Sequence, residues 1–281
     1  MLTVLLALVA SLLFALGNVL QQRIAMGYSD GEAESPLFLL RLIRSPVWIA
    51  GMATIMVGFV FHAAALSSGE IVIVQPVLSL TLVLSLPIGV WLSAQRIGRR
   101  DVGFAVLITV ALAAFLVLSD TAAGIEDPTN AAWLIASAAV LVPVAVLTAV
   151  GVGRGAAVKA ALVGSAAGVL FGLHGALVKG MVEQFDNGIL GPLESWELYA
   201  VLFFAVIGLT LSQISLQPGD LPPAMAAQSI ATPVIAVVLG VTLFEETIHD
   251  SPLGAAASLV ALAVMLAGIA GLAMGRGSAR E

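Results

Sequence analysis

The chain of 281 residues contains no cysteine, only two tyrosines and few charged side chains. Without cysteine it forms no disulfide bond and offers no thiolate ligand to a metal. Charged residues make up 10% of the sequence, whereas soluble domains carry about 25%. The formal net charge of −6 gives no support for a nucleic-acid partner. These absences argue against a soluble globular domain, a disulfide scaffold and a nucleic-acid binder.

Long apolar runs take the place of the missing charge, and 60% of the residues are hydrophobic. A helix of about 20 apolar residues crosses the hydrocarbon core of a bilayer, which is about 30 Å thick. The sequence therefore predicts an all-α, polytopic membrane protein in the lipid bilayer, with about nine transmembrane helices. We expect them at residues 2–27, 46–66, 70–93, 102–119, 130–150, 158–180, 196–217, 221–244 and 252–274.

Two segments of the chain resemble each other. Gly58–Glu70 (GFVFHAAALSSGE) aligns with Gly208–Asp220 (GLTLSQISLQPGD), and LLFALGNVLQQ from Leu12 aligns with VLFGLHGALVK from Val169. The alignment predicts a first transmembrane repeat at 1–119, a linking helix with its loops at 120–155, and a second repeat with a short tail at 156–281. Because a single helix between the two four-helix units crosses the membrane once more, the second unit is inverted relative to the first. Inverted repeats are typical of secondary transporters, whose substrate site lies near the membrane midplane.

The charged residues of the loops predict an orientation. Cytoplasmic loops are enriched in Lys and Arg, so we place the loop with Arg96, Arg99 and Arg100 in the cytoplasm. Alternation through nine spans then puts the N-terminus outside and the C-terminus in the cytoplasm of a cell membrane. The short segment Pro36–Ser45 does not span, and its arginines on one side predict an interfacial helix.

Few polar side chains lie deep inside the predicted spans. Moving an unpaired amide out of water costs about 2–7 kcal/mol, so such groups face one another or a wet cavity. The alternative is a hydrogen bond that only joins helices, worth about 0.6–2 kcal/mol. Because these residues come from both repeats, we predict that they bind substrate. They are Asn18, His62, Gln75, Ser79, His174, Gln213, Gln228 and Thr232.

Pro76 and Pro233 lie inside the third and eighth spans, next to Gln75 and Thr232. Proline removes a backbone hydrogen bond and kinks or breaks a helix. We expect these two breaks to line the central cavity. Histidine changes charge near neutral pH, so His62 or His174 is a candidate to carry a coupling proton; the alternative is a neutral ring that donates to a carbonyl.

An acidic cluster follows the eighth span. Oxygen ligands suit a hard cation such as Mg²⁺, so Glu245, Glu246 and Asp250 are weak metal candidates. The alternative is a solvated charged loop, and no other metal site is expected. Lys179, near the end of the sixth span, is expected to extend to the membrane surface or to pair with Glu183.

The stretch Thr232–Glu245 (TPVIAVVLGVTLFE) contains a Pro–Val helix, then a Gly and a Glu, and Gly254 opens the helix that follows. In this it resembles the drug/metabolite transporter (DMT) superfamily with its EamA-type repeats. The first repeat departs from the pattern, because Ala94 and Gln95 stand at the place of the Glu. RSPVWIAGM from Arg44 and VQP at Val74–Pro76 are more similar to the NIPA-type branch, proposed as magnesium transporters with nine spans. The resemblance implies the fold and a transport function.

The leading hypothesis is a secondary-active transporter that moves a small metabolite or drug by alternating access, without a cofactor. The first alternative is a NIPA-like transporter of magnesium or another divalent cation. A membrane-embedded enzyme is a distant alternative, because His62 and His174 lack a carboxylate within one helical turn and no HExxH motif occurs. An accessory subunit would not need buried amides. Homodimerisation stays open.

Overall fold

The computed structural model describes residues 1–25, 44–93, 97–125, 127–216 and 221–278. The predicted interfacial helix at Pro36–Ser45 lies almost entirely outside them. The helices are α1 Leu2–Ala25, α2 Pro46–Ser67, α3 Ile71–Leu78, α4 Leu80–Ser93, α5 Arg99–Leu118, α6 Asn130–Gly151, α7 Ala156–Glu183, α8 Gly191–Glu194, α9 Trp196–Leu216, α10 Leu221–Leu243 and α11 Pro252–Ser278. A 3₁₀ turn at Gln184–Asn187 follows α7.

Within these described ranges, nine helical segments of 20 to 32 residues are long and apolar enough to cross a membrane. Seven are single helices, the third is formed by α3 and α4 together, and the sixth by α7 and the 3₁₀ turn that follows it. This confirms the prediction of an all-helical, multi-pass membrane protein, and the observed bounds differ from the predicted ones by a few residues. No strand occurs in the described part, where a single bridge pairs Ala122 with Thr247.

The nine segments alternate in direction, so the bundle has two ends. We call the end where α1 begins the N-terminal face; it also carries the loops at 68–70, 119–129, 184–195 and 244–251. The opposite end, where α11 finishes, is the C-terminal face. Contacts between loops that are distant in sequence hold the N-terminal face together, among them a 2.7 Å hydrogen bond from Thr3 Oγ1 to the carbonyl of Ser68.

The seventh helix, α7, lies at the centre of the bundle. In its most apolar stretch 72% of the residues are buried, against 22–44% in the other spans, which expose large apolar side chains outward as a lipid-facing helix does. Along α7, Gly164, Gly168 and Gly172 contact α10. A Cβ at Gly168 would lie 2.6 Å from the carbonyl oxygen of Gln228, so this glycine permits close packing of the two backbones.

The third span is broken because its sequence contains a proline. Pro76 cannot donate to the carbonyl one turn earlier. The helix ends at Leu78, and the amide of Ser79 bonds back to the carbonyl of Pro76 at 3.1 Å. Helix α4 then begins at Leu80. Ser79 keeps right-handed helical angles (φ −62°, ψ −19°), so α3 and α4 form one irregular span, whose first eight residues are buried along nearly all their length.

Candidate functional site

A cavity of about 650 Å³ lies between α1, α3, α4, α7, α10 and α11. Its walls come from the second half of α1 and the first half of α10, which both lie toward the C-terminal face. Asn18, Gln22 and Met225 are its exposed residues, and they lie on that side. Among the described residues, the exposed part of the lining therefore lies toward the C-terminal face, and the remaining lining residues are buried or half-buried.

Five of the eight predicted substrate residues line this cavity. Their side chains come from three different spans, as expected from a site at helix breaks. They are Asn18, Gln75, Ser79, Gln228 and Thr232, together with Pro233. Sequence reasoning did not single out the other polar lining residues, Gln22, Thr81, Ser85 and Ser229. Sequence position alone does not distinguish the three Ser and Thr side chains of this set from the many others on helix surfaces whose hydroxyl groups bond only to the backbone of their own helix.

Two residues outside the described cavity lining contact the side chain of Gln75. Its Nε2 lies 3.4 Å from His62 Nε2, and the side chain is 5% exposed. On the other side a Cβ at Gly175 of α7 would overlap the amide of Gln75. Glycine at position 175 therefore makes room for the Gln75 side chain at the cavity wall.

Gln228 occupies the opposite wall. Its Oε1 accepts a hydrogen bond from Ser212 Oγ at 2.9 Å, which leaves the amide nitrogen as the donor at this position. One turn later Pro233 cannot donate to the carbonyl of Ser229, which also lines the cavity. The predicted break at Pro233 is not observed, because Leu221–Leu243 is one continuous helix, but the proline still leaves the carbonyl of Ser229 without its intrahelical donor.

The remaining three predicted residues lie outside the lining. His62 is buried against Phe14 and Phe59, with ring centroids 6.3 and 6.1 Å away, and it adjoins the cavity through the lining residues Phe14 and Gln75. His174 packs against Phe59 and Phe171. Gln213 is exposed on α9 and is not brought to the cavity.

The described lining of the cavity contains no Asp, Glu, Lys, Arg or His. It consists of carboxamides, hydroxyls, two phenylalanines and aliphatic side chains. A site of this chemistry has no fixed charge to offset the charge of a bound ion, which favours a neutral molecule with hydrogen-bonding groups and an apolar part.

The closed N-terminal face is built around a buried ion pair. Lys179 Nζ of α7 lies 2.7 Å from Glu246 Oε1, and the two side chains are 9% and 0% exposed. Glu246 also accepts hydrogen bonds at 2.9 Å from the amides of Ile71 and Val72, the first two residues of α3. An anion at a helix N-terminus satisfies amides that have no partner within the helix.

The turn that positions Glu246 is unusual. Glu245 has φ 56°, a left-handed conformation uncommon for a residue other than glycine. After it, the amide of Glu246 donates to the carbonyl of Gly240 at 2.9 Å. The chain therefore reverses at the end of α10 and directs the Glu246 side chain back into the bundle.

This geometry separates the three predicted metal candidates. Glu246 points inward to Lys179 and α3, whereas Glu245 and Asp250 are exposed. In the ranges that the structure describes, no group of three His, Cys, Asp or Glu side chains is placed to hold a metal ion. The sequence predicted that Lys179 extends to the membrane surface or pairs with Glu183. Its side chain is buried instead of extending to the surface, and it donates a hydrogen bond to Glu246, which lies 67 residues away along the chain and was not predicted.

Further contacts join the loop after α5 to the loop after α10. The amide of Ile125 donates to the carbonyl of Phe244 at 2.7 Å, and the amide of Thr247 donates to that of Ala122 at 3.2 Å. Trp133 packs edge-on against Phe244, with ring centroids 5.8 Å apart. Lys179 Nζ lies 5.0 Å from the centre of the same Phe244 ring. The N-terminal face is thus closed by several elements at once.

A second depression, of about 730 Å³, lies between α5 and α11. Its lining is apolar apart from Arg100, which lies at its end near the C-terminal face. It contains none of the predicted site residues. Its chemistry is that of a surface in contact with lipid chains.

The fold defines the chain as a multi-pass helical membrane protein. A protein of Corynebacterium glutamicum, described by its name as uncharacterised, is 33% identical to the chain over 251 residues, which cover 88% of this chain and 86% of that protein. The chain belongs to the same family as that protein. No described protein family has a sequence profile that matches the chain, and no solved structure matches it.

Proposed function

We propose that the protein is a secondary-active transporter that moves a small, uncharged metabolite or drug through the central cavity by alternating access. The observation that carries this proposal is the cavity itself: carboxamides close to a proline in the third and eighth spans line a space whose exposed residues lie toward one face, while buried contacts close the other face. Alternating access requires a site of this kind, reached from one side at a time.

The internal repeat supports the proposal. In the alignment Gly58 corresponds to Gly208, and Phe14 corresponds to Phe171. A Cβ at Gly58 would lie 2.9 Å from the Phe14 ring, and a Cβ at Gly208 would lie 3.0 Å from the Phe171 ring. The same glycine–phenylalanine contact thus recurs between α1 and α2 and between α7 and α9. We infer two inverted four-helix repeats, 1–119 and 156–281, that move relative to each other around the cavity.

The distribution of charged residues predicts the orientation of the protein in the membrane. With Arg99 and Arg100 in the cytoplasm, the C-terminal face is cytoplasmic and the N-terminus is outside. The described conformation is then open to the cytoplasm, and the Lys179–Glu246 pair lies in the closed outer face. The resemblance to the drug/metabolite transporters agrees with this arrangement.

The lining defines the expected substrate class. Gln75 and Gln228 supply paired donors and acceptors, the carbonyl of Ser229 adds an acceptor, and Phe14 and Phe171 supply aromatic faces. We expect an uncharged molecule with at least one amide-like or hydroxyl group and an apolar portion. A volume of about 650 Å³ lies in the usual range of small-molecule pockets, about 300–1,000 Å³.

Magnesium is the second candidate substrate, and the oxygen atoms of the cavity are its support. Mg²⁺ keeps several waters when it binds, and amide or hydroxyl oxygens can accept hydrogen bonds from them. The lack of a carboxylate in the described lining favours the uncharged substrate.

The experiment is a thermal-unfolding screen of the purified protein against Mg²⁺, a panel of neutral metabolites and a panel of cationic drugs. A ligand that binds only the folded state raises the melting temperature by mass action. Saturable stabilisation by a neutral compound, lost in Gln75→Ala and Gln228→Ala, supports the proposal. Stabilisation by Mg²⁺ alone contradicts a metabolite substrate and supports Mg²⁺ as the substrate. A response that survives both substitutions contradicts the assignment of the cavity.

A further inference from the structure

Helix α3 connects the closed face of the protein to the cavity. At its N-terminus the amides of Ile71 and Val72 are held by Glu246. One turn further on, about 6 Å along the helix axis, Gln75 reaches the cavity wall. Because Ile71 and Gln75 lie one turn apart in the same helical segment, a displacement of the N-terminus of α3 displaces Gln75 as well.

We propose that Glu246 and Lys179 form a latch that keeps the N-terminal face closed, and that α3 transmits the state of this latch to the substrate cavity. The inference rests on the proposed transport function and deepens it, since it assigns both residues as positioning residues for the change of access. Neither side chain touches the cavity lining, so their effect on transport passes through α3.

The latch joins the two repeats. Lys179 and Glu246 both belong to the second repeat, in which α7 and α10 pack closely along Gly164, Gly168 and Gly172. The amides that Glu246 holds belong to α3, in the first repeat. When the repeats move apart at this face, the contact that separates is the one between the Glu246 carboxylate and α3, while Lys179 stays with Glu246.

The surfaces on either side of that contact favour separation. A Cβ at Gly240 of α10 would lie 2.7 Å from both Glu246 Oε2 and Val72 Cγ2 and 2.8 Å from Ile71 Cγ2, so a side chain there would displace the carboxylate as well as α3. Glycine at this position allows α3 to approach Glu246 and also to leave without a rotamer change. The contact therefore combines the apolar packing of Ile71 and Val72 with the hydrogen bonds to the Glu246 carboxylate, and only the latter carry a charge.

The strength with which Glu246 holds α3 depends on whether water reaches its carboxylate. In the closed face, Glu246 is fully buried and its charge is compensated by Lys179 and two amides. The attraction between these groups is strong at low dielectric and weak in water. Once water enters an opened face, both charged groups are hydrated, and the contact no longer opposes the separation of α3.

The lack of native cysteine makes the inference directly testable, because an introduced cysteine is the only thiol. Val72→Cys reports on the closed face, where Val72 is 0% exposed, and Ser229→Cys reports on the open cavity. The purified protein in lipid nanodiscs is labelled with a maleimide sulfonate. Each reporter is placed in the unchanged chain, in Lys179→Met and in Glu246→Gln.

The expected result is a reciprocal change. Loss of the latch raises the labelling rate at Val72→Cys by about tenfold or more and lowers it at Ser229→Cys, because the population shifts toward the state open at the N-terminal face. Lys179→Arg keeps the charge and leaves both rates near those of the unchanged chain. Glu245→Gln, the neighbouring exposed carboxylate, changes neither.

Two results would overturn the latch. Unchanged rates at both reporters mean that the pair does not hold the face closed. Increases at both reporters mean a loss of packing, which is the outcome for a purely structural pair. If Lys179→Met and Glu246→Gln do not fold, Gly240→Ala serves as the second variant. It pushes α3 away from α10 without removing a charge, and the same reciprocal change is expected.

The labelling requires no substrate, so it separates the latch from the proposed function. A reciprocal change with no stabilising ligand in any panel supports the latch and removes support from the substrate assignment. Ligand stabilisation that depends on Gln75, combined with unchanged labelling, supports the substrate site and rejects the latch.

Discussion

Lys179 and Glu246 lie 2.7 Å apart in the interior of the N-terminal face, and the pair joins the end of α7 to the loop after α10. Both side chains are withdrawn from solvent, and the Glu246 carboxylate accepts hydrogen bonds from the Lys179 ammonium group and from the amides of Ile71 and Val72. A buried pair of this kind contributes little net stability over apolar residues, but removing one partner is costly. The pair therefore specifies one arrangement of α3, α7 and α10.

Replacing Glu246 should be far more harmful than replacing its neighbour Glu245. Glu246→Gln leaves Lys179 without a charged partner and weakens the cap of α3, at a cost of about 3–5 kcal/mol. Glu245→Gln changes an exposed side chain and should cost less than about 0.5 kcal/mol. Thermal unfolding of the two variants in the same detergent measures the difference. Equal melting temperatures would contradict the burial of Glu246.

The three glutamines predicted to bind substrate should behave differently. Gln75→Ala and Gln228→Ala each remove a hydrogen bond to a bound ligand, worth about 0.5–1.5 kcal/mol, which corresponds to a few-fold to tenfold loss of affinity. Gln213→Ala should leave affinity unchanged because Gln213 is exposed on α9. Titration of a stabilising compound against all three variants is the measurement. An equal loss in Gln213→Ala would show that the cavity described here is not the binding site.

Gly175→Ala should impair ligand binding although Gly175 is not among the lining residues. The added methyl group would overlap the amide of Gln75 and push it from its position at the wall. Gly103→Ala is the matched control, because a Cβ there meets no atom within 4 Å and alanine favours a helix by about 1 kcal/mol. We expect a weakened ligand response in the first variant and an equal or higher melting temperature in the second. Unaltered binding in Gly175→Ala would argue against a role for Gln75.

A disulfide across the N-terminal face should stop transport. Ala122 and Thr247 form an antiparallel bridge with a 3.2 Å backbone hydrogen bond, and Cα atoms in such a pair lie about 5.5 Å apart, within the range that a disulfide spans. In Ala122→Cys/Thr247→Cys, oxidation would tie the loops after α5 and α10 together and hold this face closed.

The measurement for that variant is substrate uptake into proteoliposomes before and after reduction. Uptake should be lost on oxidation and restored by a reductant, while each single cysteine variant stays active under both conditions. Full activity of the oxidised, cross-linked protein would show that this face does not open during transport.

The sequence allowed the spans to be predicted well because the bilayer imposes a simple rule. An apolar run of about 20 residues must be helical, since no water is present to satisfy the backbone. The observed helices Pro46–Ser67 and Asn130–Gly151 differ from the predicted ranges by one residue at one end. Pro76 likewise predicted the break in the third span, because the missing amide acts locally.

The candidate site was only partly predictable. Gln75, Ser79, Gln228 and Thr232 were found from their depth and their neighbouring prolines, and all four line the cavity. Gln213 has the same residue type and a similar depth, but the rotation of α9 turns it outward. Helix rotation is set by packing against neighbouring helices, which no local sequence pattern specifies.

By itself, the sequence determined the membrane class and the number and extent of the described spans, because these depend on hydrophobicity and backbone chemistry within about 20 residues. Of the two predicted helix breaks, the one at Pro233 was wrong, because the packed helix Leu221–Leu243 stays continuous through the proline. The tertiary structure decided which polar groups meet. Only the folded chain brings Glu246 to Lys179 and to the first amides of α3, and only it places Gly175 beside Gln75. Contacts of this kind join residues far apart along the chain, and their positions depend on the packing of the whole bundle.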